Sequence, residues 1–124
     1  MVTGLGIDMI EVDRVMGSMK KESGFRELVF SEHEIAYCQP KANRFEHYAA
    51  RYAAKEAFFK ALGTGWLDGT AFNEVEIFNL PNGKPEIRFL GLTATTLKKL
   101  KLKNIQVSLT HLKAMASAVV VIEK

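Results

Sequence analysis

The chain has one cysteine, three prolines and one tryptophan among its 124 residues. A lone thiol cannot close an internal disulfide, and with no Cys-His cluster around Cys38 there is no zinc site to read, so that residue is structural or incidental. No apolar run approaches the roughly 20 residues that span a bilayer, and the opening "MVTGLGID" lacks the basic flank, apolar core and cleavage site of a secretory signal. These absences point to a cytoplasmic protein that meets no membrane. Strong charge of one sign is missing too: the net charge is only +3, and the basic run "LKKLKLKN" has no aromatics on which bases would stack, which argues against a nucleic-acid partner. Repeats and low-complexity linkers are absent. What remains, 48% hydrophobic and 25% charged residues, is the balance of a globular protein, and residues 1–124 fit a single domain.

Residues 2 to 12 read as a strand in which Gly4 and Gly6 leave room for close backbone approach. Asp13 caps a short helix to about Lys21, ended by Ser23-Gly24. In "FSEHEIAYC", Ser31 and Glu34 form a capping box, and Pro40 then interrupts the chain. Arg44 to Leu62, "RFEHYAARYAAKEAFFKAL", is the strongest helix, rich in good helix formers and closed by Gly63. After a glycine-rich "GTGWLDG" loop, Glu74 to Asn79 and Glu86 to Leu90 form a hairpin around "PNGKP". A helix over Thr93 to Leu102 and strands over Ile105 to Thr110 and Ala116 to Ile122 complete the chain. The fold class is α+β, a central helix packed on an antiparallel sheet.

Two carboxylates stand out. Asp8 lies among Leu5, Ile7, Met9 and Ile10, a costly place for a charge unless a metal ion or a cation compensates it, or unless the segment is no strand. At about 100° per residue, Glu56 falls on a helical stripe with Phe45, Tyr48, Ala49, Tyr52 and Phe59, while Ala50, Ala54, Ala57 and Ala61 line the opposite side. A hard divalent cation answers both carboxylates, because magnesium takes one or two protein carboxylates and completes its shell with water and substrate phosphate. Lys60, one turn after Glu56, either pairs with it or neutralises a phosphate beside the metal. Arg51 and Lys55 are either surface residues on a narrow polar strip or a grip on a further phosphate. His111 follows "VSLT" at a strand end, where phosphates also bind. His33 and His47 have no motif around them.

In order and spacing, "GIDMIEVDR", "FSEHE", "RYAAKEAFFKALGTG", "NGKPEI" and "VSLTH" resemble the holo-(acyl-carrier-protein) synthase family of 4′-phosphopantetheinyl transferases over nearly the whole chain. The segment holding Lys55-Glu56 and Lys60 is its most specific element. The resemblance implies the 4′-phosphopantetheinyl transferase fold. It implies transfer of the phosphopantetheine arm of coenzyme A to a serine of apo-acyl carrier protein, in support of fatty acid biosynthesis, with adenosine 3′,5′-bisphosphate released. It also implies Asp8 and Glu56 as magnesium ligands, Lys60 beside the reacting phosphate, and Arg51 and His111 on the 3′-phosphate of the donor. Gly63, Thr64, Gly65, Gly83, Lys84 and Pro85 match loops that shape the coenzyme A cleft, and small members of the family are homotrimers with sites between subunits. "LTHLKA" and Tyr52, where phenylalanine is usual, are modest departures.

Arg14, Lys20, Lys21 and Arg26 cluster after the first strand, with Met16 and Met19 among them. Cations that steer and methionines that adapt suit the docking of an acidic carrier helix. A non-enzymatic adaptor would use the same cluster and leave Asp8 and Glu56 without a role.

Overall fold

A computed structural model describes all 124 residues, and three strands carry its frame: β1 (Val2–Glu11), β4 (Asn104–His111) and β5 (Met115–Glu123). They pair antiparallel in the order β1-β5-β4, so Ala118 of β5 faces Asp8 on one side and Leu109 on the other. Ala116, Ala118, Val120 and Ile122 alternate inward along β5, the two-residue period of a half-buried strand.

Helix α4 (Arg44–Leu62) lies across the inner face of this sheet. Small residues allow the close approach. A Cβ added at Gly4 would collide with the carbonyl oxygen of Ala61, and one at Gly6 with that of Ala57, so both glycines are required by the contact rather than by their torsions. Away from the sheet, Phe58 and Phe59 pack toward the hairpin of β2 (Val75–Asn79) and β3 (Pro85–Phe89). Nearer its N-terminus, Tyr48, Ala49 and Ala50 meet Val12, Val15, Phe30 and Cys38. These come from α1 (Val12–Lys20), α2 (Phe25–Val29) with the residue after it, and α3 (Glu32–Cys38). A final helix, α5 (Gly91–Lys98), buries Leu97 in the first cluster.

The capping box at Ser31 and Glu34 is present, and α4 ends at Gly63 in the left-handed conformation, φ 81°. Other boundaries differ from expectation. Asp13 lies inside α1, whose N-cap is Glu11 without a side-chain bond, and α5 starts earlier and stops earlier than its apolar pattern implied. The five-residue α2 is too short to show a period. Leu5, Ile7 and Met9 do not surround Asp8: they point outward and are well exposed on the open face of the sheet.

Candidate active site

Asp8 occupies the helix-facing side of β1, the strand that meets the C-terminal half of α4. Lys60 Nζ donates to Asp8 Oδ1 at 2.9 Å and to the Ile7 carbonyl oxygen at 3.0 Å. That hydrogen bond and the carboxylate charge raise the Lys60 ammonium above its ordinary range, with Glu56 adding to the effect. Sequence spacing offered Glu56 as the partner of Lys60; the strand brings Asp8 instead. Burial pushes the Tyr52 hydroxyl up to about 12, and the charges of Glu56 and Asp8 act in the same direction. Tyr52 and Lys60 therefore both feel both carboxylates.

The compensating charge for Asp8 within the chain is Lys60, whose side chain is 53% exposed, against 17% for Asp8. Two carboxylates without a third side-chain ligand fit a magnesium ion that keeps water and takes phosphate oxygens, and do not fit a closed zinc site. Gly63, Thr64 and Gly65 form an exposed loop at the C-terminal end of α4, one turn beyond Lys60.

A second cluster gathers toward the N-terminal half of α4. Arg51 is only 2% exposed. Its Nη2 donates to Asn79 Oδ1 at 2.6 Å, Asn79 Nδ2 donates to the Gly83 carbonyl oxygen at 3.0 Å, and Asn79 pairs with Pro85 across the hairpin. Arg51 is thus tied to the turn that holds Gly83, Lys84 and Pro85. The guanidinium also lies over the Tyr37 ring, 4.3 Å from its centroid. At the end of β4, His111 Nδ1 stands 2.8 Å from Glu46 Oε1, which orients the ring and leaves Nε2 as its other nitrogen.

The two clusters are separated by the fold. Positions 51 and 60 differ by nine residues, or about 900° of rotation and about 13 Å of rise, so Arg51 and Lys60 leave α4 on opposite flanks. Asp8 and His111 lie on the two outer strands, with β5 between them. The Lys60 side and the Arg51 side thus lie on opposite flanks of α4 within one chain.

Lys55 requires correction. It is neither on a polar strip nor available to a phosphate, being fully buried with its Nζ donating to Glu34 Oε1 at 2.7 Å and to the carbonyl oxygens of Phe72 and Val75. The Glu34 carboxylate also accepts from Ser31 N and Ile77 N. This saturated pair ties α3 and α4 to β2. Its partner lies 21 residues away in sequence, which local spacing could not reveal. Arg51 is likewise buried rather than on the surface. Cys38 is buried, with its thiol pushed up to about 11 by burial, as suits a structural residue.

Arg14, Lys20 and Lys21 are exposed on or just after α1, the helix that follows β1 and packs against α4. Arg26 differs, as its charge is shared with Glu27 at 3.0 Å and Gln39 at 3.3 Å. A cleft of about 650 Å³ opens here, with Met19, Lys20, Phe25, Arg26 and Phe45 in its walls. Arg14 shares a small depression with Phe25 and Tyr52, which links this face to Glu56. Glu46 and Asn79 carried no functional signal in the sequence and His47 stood there without a motif, because their partners come from distant elements.

Comparison with known proteins meets this geometry. The 4′-phosphopantetheinyl transferase superfamily matches residues 4–118. The holo-[acyl-carrier-protein] synthase of Solibacter usitatus is 44% identical over 124 residues, 99% of each chain. The crystal structure of the holo-[acyl-carrier-protein] synthase from Neisseria meningitidis superposes with a TM-score of 0.91 at 28% identity, covering 100% of both chains. That of a Bacillus anthracis holo-(acyl-carrier-protein) synthase in complex with CoA (3′,5′-ADP) gives 0.81 at 31% identity, covering 98% of this chain and 96% of that one. With a match that runs through both clusters and a fold shared from end to end, the chain belongs to the 4′-phosphopantetheinyl transferase superfamily.

Proposed function

We propose that the protein transfers 4′-phosphopantetheine from coenzyme A to a serine hydroxyl of apo-acyl carrier protein, giving the holo-carrier and adenosine 3′,5′-bisphosphate, and that it thereby supports fatty acid biosynthesis. The observation that carries this reading is the Asp8, Glu56 and Lys60 cluster in a chain of this superfamily. Asp8 and Glu56 would hold a magnesium ion, which when bound supplies positive charge to the pyrophosphate. Lys60 Nζ, exposed on a flexible stem, exchanges Asp8 for the reacting phosphate and stabilises charge as it develops there. Arg51 and His111 hold the 3′-phosphate: the guanidinium is pinned by Asn79, and the imidazole is oriented by Glu46. Gly63, Thr64, Gly65, Gly83, Lys84 and Pro85 border the donor cleft.

The separation of the clusters supports sites built between subunits of a homotrimer, the Lys60 side from one copy and the Arg51 side from its neighbour. The exposed Leu5, Ile7 and Met9 supply an apolar face for such packing. Arg14, Lys20 and Lys21, with Arg26 in a lesser part, receive the acidic carrier beside Asp8. Incubation with coenzyme A, magnesium and an apo-acyl carrier protein should add one phosphopantetheine mass to the carrier. A carrier of unchanged mass refutes the reading.

A further inference from the structure

His47 belongs to no motif, yet folding carries it into the Arg51 cluster. It lies one turn before Arg51 on α4. Its ring meets that of His111 edge-on with centroids 5.0 Å apart, and that of Tyr37 at 5.9 Å. Tyr37 in turn carries the Arg51 guanidinium at 4.3 Å and the Lys41 ammonium at 4.4 Å. The charged and titratable groups facing His47 are therefore Lys41 from the turn before α4, His111 from β4, Arg51 and Glu46 from α4 itself, and the neutral Tyr37 from α3. Glu46 is the one carboxylate among them and is engaged by His111. Arg51 Nε is buried without a hydrogen-bond partner. Positive charge is thus gathered in excess at the place assigned to a phosphate.

We propose that His47 is a further donor-binding residue: with Lys41, Arg51 and His111 it closes on the phosphomonoester of the donor nucleotide, taking up a proton as that dianion arrives. The inference rests on the proposed donor and adds a residue and a proton to its binding. In the free protein, burial pushes His47 below the usual histidine range, and His111, Lys41 and Arg51 act in the same direction, outweighing Glu46. A dianion beside the ring reverses the balance of neighbouring charge and raises its proton affinity. By linkage, His47 then contributes nothing to binding above its raised, ligand-bound pKa. Its contribution grows as pH falls through that value and levels off below the depressed value of the free protein. Between the two values, binding draws a proton from solution.

Calorimetry with adenosine 3′,5′-bisphosphate, at pH 6.5 and 8.5 and in buffers of different ionisation heat, tests this. Wild type should take up part of a proton at pH 6.5. His47→Phe, which keeps an aromatic ring beside Tyr37 and His111, should lose that uptake and bind several-fold more weakly at pH 6.5, with little change at pH 8.5. His47→Gln should behave alike, separating loss of titration from loss of packing. Adenosine 5′-monophosphate, which lacks the 3′-phosphate, should be bound equally by all three proteins. Histidine-selective NMR should place the His47 titration below the ordinary range in the free protein and higher in the complex. Equal proton uptake and an unchanged affinity ratio at both pH values overturn the inference alone, whereas wild-type protein that binds no bisphosphate overturns it together with the proposed donor.

Discussion

Lys60 and Lys55 lie five residues apart on one helix and show how tertiary context divides a single residue type between two tasks. Lys60 is half exposed beside Asp8, so its pairing there is weak in energy and readily exchanged for a phosphate. Lys60→Ala should therefore lower kcat far more than it raises the KM for coenzyme A, because its charge matters most as the transition state forms; steady-state kinetics with an apo-carrier reads the split. Asp8→Asn and Glu56→Gln should reduce transfer by at least about 100-fold while leaving the melting temperature nearly unchanged, since Asp8 has only this exposed partner to lose. Lys55 is the opposite case. Lys55→Met strands the buried Glu34 carboxylate and should cost roughly 3–5 kcal/mol in urea unfolding, with part recovered in the double variant Glu34→Gln, Lys55→Met. Wild-type stability of the single variant would refute the buried pair.

At the level of elements, the catalytic reading depends on how closely β1 lies on α4. Gly6→Ala forces a methyl into the Ala57 carbonyl, so the strand must lift from the helix and carry Asp8, two residues on, away from Lys60 and Glu56. The expected cost is about 1–3 kcal/mol, with a fall in kcat that extra magnesium restores in part; thermal unfolding and a magnesium titration check both. Helix α1 offers a separable test. Arg14→Glu with Lys21→Glu should raise the KM for the carrier severalfold and leave that for coenzyme A alone, and added salt should weaken the wild type more than the variant. Equal salt sensitivity would place carrier docking elsewhere. The elements themselves were largely legible: α4 runs from Arg44 to Leu62 as its composition and its closing Gly63 implied, because a helix apolar on most sides and rich in alanine has little alternative. The short α2 was not, since five residues carry no readable period.

For the whole molecule, the opposed flanks of α4 make a prediction about assembly. Lys60→Ala and His111→Ala each disable one cluster. If a site takes the Lys60 side from one subunit and the His111 side from its neighbour, unfolding and refolding the two inactive proteins as a 1:1 mixture should restore about a quarter of wild-type activity, the chance that both halves at an interface are intact. Activity that stays at the level of the parents would mean that each chain uses its own two clusters.

The sequence by itself determined the central helix, the capping box at Ser31 and Glu34 and the hairpin around Gly83, because each follows from helix composition, capping or turn chemistry that is local, whereas Asp8, Glu56 and Lys60 were offered as a set only through the family resemblance. Tertiary structure alone decided the partners. Asp8 and Lys60 are 52 positions apart, His111 and Glu46 are 65 apart, and Lys55 reaches Glu34 across 21, so no spacing rule could join them. It also decided which charges are buried and that Arg51 and Lys60 leave α4 on opposite flanks. Burial and electrostatic pairing depend on what the rest of the chain packs against a residue, and that is settled only when strands and helices close around it.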